Sequence, residues 1–181
     1  MLNLKRLKEF AKTDEFRAEA QDVFFDGMQA GYASSSKKGT IVELPGFKLI
    51  PAYVCGPWKV IDGYHVTPLS PASGGTTIIS YEISIAAAKK DVPVWMMQYF
   101  GWYYEEVIPC LKAALRESYG KKEFRGGRGP DFWESKSPVF HYTNKSDVFE
   151  NTFGCFRGEE SIETPGGATM GVHRYQGGLM L

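Results

Sequence analysis

Several features that would direct a functional reading are scarce or absent in this chain. Charge of one sign is not in excess: 21 Lys and Arg balance 21 Asp and Glu. A direct nucleic-acid binder or an acidic-membrane binder needs a basic excess, so neither partner is expected. No segment approaches the roughly 20 apolar residues of a bilayer span, so no membrane association is expected. The start, Met1-Leu2-Asn3-Leu4-Lys5-Arg6-Leu7-Lys8, lacks the apolar core of a secretory signal. Cysteine is sparse. Cys55, Cys110 and Cys155 stand far apart, with no Cys-x-x-Cys, which argues against a disulfide framework or a zinc knuckle. Reduced thiols in a cytoplasmic setting are the expectation. His65, His141 and His173 show no metal-ligand spacing, so no metal and no cofactor are expected. No Gly-x-Ser-x-Gly elbow signals a serine hydrolase. Cys110 and Cys155 sit in no nucleophile motif.

What is present suits one globular domain. The chain has 181 residues, 43% apolar, with no low-complexity tract. Its most apolar, aromatic-rich run is residues 93–101, Pro-Val-Trp-Met-Met-Gln-Tyr-Phe-Gly. A proline opens it and a glycine closes it at strand length. A central strand with both faces largely covered is expected. Trp95, Met97 and Tyr99 then share one face, and Val94, Met96 and Gln98 the other.

Upstream, residues 2–12 read as a helix with Leu4, Leu7, Phe10 and Ala11 on one face. Thr13 or Asp14 caps a second helix, whose stripe is Phe16, Ala20, Val23, Phe24 and Gly27, ending at Gly31. Residues 34–39 read as a solvated loop. Strand-like runs follow at 41–44, at 47–54 (interrupted by Pro51), at 58–66 and at 76–87, with a loop over 68–75 and a turn at Lys89-Lys90-Asp91. A helix with Pro109 in its first turn presents Ile108, Leu111 and Leu115, and Gly120 stops it. Further strands are expected at 139–143, 147–156, 160–164 and 168–175, with Pro165-Gly166-Gly167 as a hairpin turn. The fold class is therefore α+β: a helical segment over 1–33, a curved antiparallel sheet of two meander units over 40–101 and 121–181, and one helix between them over 104–120.

The second unit echoes the first. Tyr64 answers to Phe153, Glu82 to Glu160, and Tyr99-Phe100-Gly101 to Tyr175-Gln176-Gly177. A three-stranded meander cannot bury its apolar face alone, and two paired can, so an internal duplication is expected. The same residues carry a resemblance. Asp62-x-Tyr64, Glu82, Pro93-Val94-Trp95-x-Met97-x-Tyr99-x-Gly101, Phe124-Arg125-Gly126, Phe156-x-Gly158-x-Glu160-x-Ile162 and Gly177-Gly178 together resemble the uncharacterised bacterial family called domain of unknown function 5680. The similarity runs from about Phe24 onward. It departs at Gln98, where the family favours Asn, and at Gly127-Arg128-Gly129, which interrupts the arginine-glycine-proline run. Some members of that family look to be fused to helix-turn-helix regulators. The resemblance implies a fold and a regulatory flavour, and no reaction.

Candidate chemistry is limited. Glu82 shares a strand face with Ser80 and Ser84, the half-exposed pattern of a solvated or paired carboxylate. Phe124-Arg125-Gly126-Gly127-Arg128-Gly129-Pro130 is either an anion clamp or a flexible connector whose arginines pair with acids such as Asp131 and Glu134. The expected function is non-catalytic: a domain that binds a small-molecule ligand or a protein partner where the two units meet. The candidate residues are Tyr64, Glu82, Gln98, Tyr99, Arg125 and Tyr175, because tyrosines combine apolar area with a polar tip and arginine forks onto anions. The alternative is an enzyme that uses Glu82 or Glu160 with Arg125.

Overall fold

The computed structural model describes residues 2–34, 39–40, 44–85 and 88–180. Two helices open the chain. In α1 (Leu4–Phe10), Asn3 Oδ1 accepts the Arg6 amide at 3.0 Å, and in α2 (Asp14–Ala30), Thr13 Oγ1 accepts the Phe16 amide at 3.1 Å. Each cap satisfies an amide that has no partner inside its helix. The stripe expected for α2 is buried as a unit, together with Phe25 and Met28. Each of the larger side chains among them, Phe16, Val23, Phe24, Phe25 and Met28, contributes about 1.5–3 kcal/mol when taken from water.

An antiparallel sheet follows. Its strands are β1 (Gly39–Thr40), β2 (Phe47–Leu49), β3 (Tyr53–Cys55), β4 (Trp58–Val66), β5 (Ala72–Ile85) and β6 (Ala88–Tyr103). After a 3-10 turn (Glu105–Val107) and α3 (Ile108–Lys121) come β7 (Phe132–Glu134), β8 (His141–Thr152), β9 (Cys155–Glu163) and β10 (Thr169–Leu179). The order across the sheet is β1-β2-β4-β5-β6-β10-β9-β8-β7, with β3 also on β4. The meanders β4-β5-β6 and β8-β9-β10 meet where β6 pairs with β10. The α+β class is therefore as expected: helices first, then two antiparallel units with a helix between.

Local departures have local causes. Pro51 has no N–H for the ladder, and the expected strand over 47–54 divides around it into β2 and β3, both paired to β4. The expected strand over 147–156 is cut by the β8–β9 turn at Phe153 and Gly154. Lys89, Lys90 and Asp91 form no turn; they are strand residues paired to Ser84, Ile83 and Glu82. Ser73, Gly74 and Gly75 likewise belong to β5 rather than to a loop. Gly120 does not stop α3. The left-handed residue is Lys122, with φ 55°, whose amide bonds back to the last turn. The strand expected at 41–44 and the loop at 34–39 fall mostly outside the described residues.

Among the described residues, the helices pack on one face of the sheet. Trp95 is fully buried on that face, stacked on Phe153 at 5.1 Å between ring centroids and on Phe156 at 5.4 Å, with Phe24 of α2 against it. Its Nε1 donates to the Phe153 carbonyl at 2.8 Å. Met97 is buried beside it, whereas Gln98 and Phe100 on the opposite face are exposed, Phe100 by 69%. The expectation that both faces of this strand are covered is thus corrected. Val94 is buried next to Trp95 because the β5–β6 register slips by one residue at Ile79/Ser80, which breaks the alternation.

Candidate functional site

One rung of the sheet organises the interior. It runs Tyr64, Gly75, Tyr99, Tyr175, Gly158, Ser146, one residue from each strand of the two meanders. Tyr99 lies over Gly75 and Tyr175 over Gly158. A Cβ on either glycine would press into the phenol of its tyrosine. The bare strand lets each phenol pass to the strand beyond. Tyr175 Oη donates to Asn144 Oδ1 at 2.6 Å, and Tyr99 Oη to Asp62 Oδ1 at 3.4 Å. One residue pair further along, Asp62-Thr77-Met97 in the first unit answers to Asn144-Glu160-His173 in the second. Tyr99 and Tyr175 are direct partners across the β6–β10 pair. The counterpart of Glu160 is Thr77, not Glu82.

The loop from Phe124 to Pro130 folds into this interior. Gly126 and Gly127 take φ of 62° and 69°, a left-handed pair that glycine adopts without strain. The turn drives Arg128 under the sheet. Its guanidinium pairs with Glu160 through Nη2 and through Nε at 3.0 Å, and both side chains are almost fully buried. Tyr142 Oη donates to Glu160 Oε2 at 2.6 Å and accepts from the Gly129 amide at 2.9 Å. Burial alone would raise the Glu160 carboxyl, but the Arg128 charge and hydrogen bond hold it below the ordinary carboxylate range. Burial would lower the Arg128 guanidinium, and Glu160 keeps it charged. Arg128 also lies over the Tyr99 ring, 5.2 Å from its centroid.

Beside this pair opens a cleft of about 850 Å³ between the inner sheet face, the end of α2 and the start of α3. Its floor carries Asp62, Arg128 and His173, and its walls carry Tyr32, Tyr64, Tyr99 and Tyr103. Burial raises the Asp62 carboxyl, partly countered by the hydrogen bond from Thr77 Oγ1 at 2.8 Å. Burial pushes the His173 imidazole down to about 4 against the attraction of Glu160, so it is neutral at pH 7. The imidazole lies over Gly101 between two tyrosines, with ring centroids 5.8 Å from Tyr99 and 4.5 Å from Tyr103. Its Nε2 is 3.0 Å from Ser73 Oγ, and its Nδ1 is 4.0 Å from Glu160 Oε1. His173 Nδ1 and Tyr103 Oη are buried without a hydrogen-bond partner among the described residues.

No family model, curated protein or solved structure matches this chain.

The residues expected from sequence are distributed as follows. Tyr64 and Tyr99 stand on the cleft wall, and Tyr175 lies next to Tyr99 with its hydroxyl committed to Asn144. Glu82 is seven residues from Gly75 on β5, about 23 Å along the strand, and pairs with Lys89 at 2.8 Å. Gln98 faces outward, across from Gln176. Arg125 pairs with Asp131 and Glu123 at the loop's outer edge. The arginine that meets Glu160 is thus Arg128, not Arg125: the two glycines between them reverse the chain, sending one outward and the other in. The expected set omits His173, Ser73 and Tyr103, and it takes Arg128 only as part of an anion clamp or of a connector paired to nearby acids. Their signal is positional and non-local, since Gly101 makes room for an imidazole that sits on another strand. Among the described residues, no group of three or more His, Cys, Asp and Glu side chains is arranged to hold a metal ion.

Proposed function

We propose that this chain is a binding domain whose small-molecule ligand occupies the cleft between the sheet and α3. The observation that carries the reading is convergence. Asp62 from β4, Arg128 from the loop after α3 and His173 from β10 meet at the floor of one concave, tyrosine-walled space. Such a cleft lies within the ordinary size range of ligand pockets, roughly 300–1,000 Å³. Buried polar groups are costly unless partnered, and a ligand's own polar groups can complete their bonding. The resemblance to the 5680 family supports a regulatory setting for that binding.

A thermal-shift screen of metabolites tests it. A ligand at 100 times its dissociation constant adds about 2.7 kcal/mol of stability. Hits should lose their shift in Asp62→Asn and Tyr64→Ala and keep it in Gln98→Ala, which alters only the outward face. Hits that respond to Gln98→Ala and ignore both cleft substitutions would place binding elsewhere and sink the reading.

A further inference from the structure

A second rung of the sheet crosses the cleft, and it runs Ser73, Gly101, His173, Glu160, Asn144 on β5, β6, β10, β9 and β8. Residues on one rung present their side chains to the same face. Ser73 and His173 are separated by a full strand, a gap of about 9.6 Å between their backbones. Gly101 fills that strand's place without a side chain, and a Cβ there would lie 2.5 Å from His173 Cδ2. The imidazole therefore reaches across and brings Nε2 to Ser73 Oγ at 3.0 Å. Tyr99 and Tyr103 hold the ring from either side. With its proton on Nδ1, facing Glu160, the ring offers Nε2 as the acceptor of the Ser73 hydroxyl. A nucleophile and a base in hydrogen-bond reach of it are the parts of an activated serine; the Glu160 carboxylate, 4.0 Å from Nδ1, acts on the ring by its charge and not through a hydrogen bond. Both Ser73 and His173 line the open cleft.

We propose that Ser73 is the nucleophile and His173 the general base of an acyl-transfer site that hydrolyses small carboxylic esters held in the cleft. The inference rests on the cleft being the ligand site and adds chemistry to it. In the first step, the Ser73 Oγ–acyl carbon bond forms and the ester C–O bond breaks. The serine proton moves to His173 Nε2 and on to the leaving oxygen, which departs as the alcohol. Water then adds to the acyl carbon, its proton passes through the same nitrogen to Ser73 Oγ, and the acid leaves. No oxidant, reductant or metal enters the balance. Glu160 acts as a positioning residue through the Nδ1 side of the ring. The weakly basic, buried imidazole suits esters with good leaving groups, which need little protonation to depart.

The test uses the full chain with p-nitrophenyl butyrate and with diisopropyl fluorophosphate, read by product release and by intact mass with peptide mapping. Expected are a single phosphoryl adduct on Ser73, its loss in Ser73→Ala, and retention in Ser161→Ala, which alters a serine that does not line the cleft. His173→Gln should slow butyrate turnover by about 10²–10⁴-fold. Glu160→Gln, or Glu160→Gln with Arg128→Met where the single variant does not fold, should shift the acid limb of the pH–rate profile to lower pH. An adduct that persists in Ser73→Ala, or turnover unchanged in that folded variant, overturns the proposal. A wild-type protein with no adduct and no turnover also overturns it; metabolite thermal shifts that survive in that case leave the binding reading standing, and their absence removes both.

Discussion

Tyr99 and Tyr175 face each other directly across the β6–β10 pair, and each reaches over a glycine to a side chain two strands away. The acceptors are Asp62 on one side and Asn144 on the other. The two halves of the sheet are joined by this pair of mirrored reaches, and the cleft opens on the Asp62 side.

The two reaches differ in strength. The Tyr175–Asn144 bond is short, at 2.6 Å, and Asn144 also donates to the Gly129 and Arg125 carbonyls at 2.8 and 3.0 Å, so it ties the loop to the sheet. Tyr175→Phe should cost about 1–3 kcal/mol, the usual penalty of stranding a buried acceptor. Tyr99→Phe should cost less, because its bond to Asp62 is long at 3.4 Å. Gly158→Ala should be destabilised by about 1–3 kcal/mol, since the added methyl displaces the Tyr175 ring. Denaturant titration of the three variants gives the ordering.

Trp95→Ala should cost about 3–5 kcal/mol. The indole is fully buried, sandwiched by Phe153 and Phe156, and bonded to the Phe153 carbonyl. A loss under about 1 kcal/mol in the same titration would contradict that packing.

The Arg128–Glu160 pair should show strong non-additivity. Arg128→Met leaves Glu160 buried without its guanidinium partner, though still hydrogen-bonded by Tyr142, and should cost about 3–5 kcal/mol. Adding Glu160→Gln should recover much of that loss, because the unpaired buried charge is then gone. A double-mutant cycle measures the coupling. Independent, additive effects would show that the pair is not energetically closed.

Stability should fall on acidification between about pH 6.5 and pH 4. Over that window the unfolded chain protonates His173 and the folded chain does not, so the unfolded state binds more protons and is favoured as pH drops. The loss reaches on the order of 3 kcal/mol for a shift of this size. Asp62, whose carboxyl is raised, works in the opposite sense, because its folded form takes up a proton before the unfolded one does. Glu160, held low by Arg128, adds a further loss below the ordinary carboxylate range. His173→Gln should flatten the slope between pH 6.5 and 5, and urea midpoints across that range provide the check. A slope unchanged in that variant would assign it to other groups.

The alternation and the caps of this chain are written in neighbours along the sequence. That is why the stripe of α2, the span of β4, the hairpin at Pro165-Gly166-Gly167, the core role of Trp95 and Met97 and the pairing of two meanders could all be read directly. Those features depend on residues within a few positions of one another and on the need to bury apolar faces. The site is of another kind. Whether Arg125 or Arg128 turned inward depended on Gly126 meeting the Tyr175 ring and Gly127 meeting Phe24 and Met97, contacts made across the fold. Whether Thr77 or Glu82 answered to Glu160 depended on register, since a shift of pairing changes every partner along two strands. Ser73 and His173, 100 positions apart, became neighbours only because Gly101 stands between them on the intervening strand. Periodicity along one strand specifies which face a side chain takes; only strand order and register specify what it meets there.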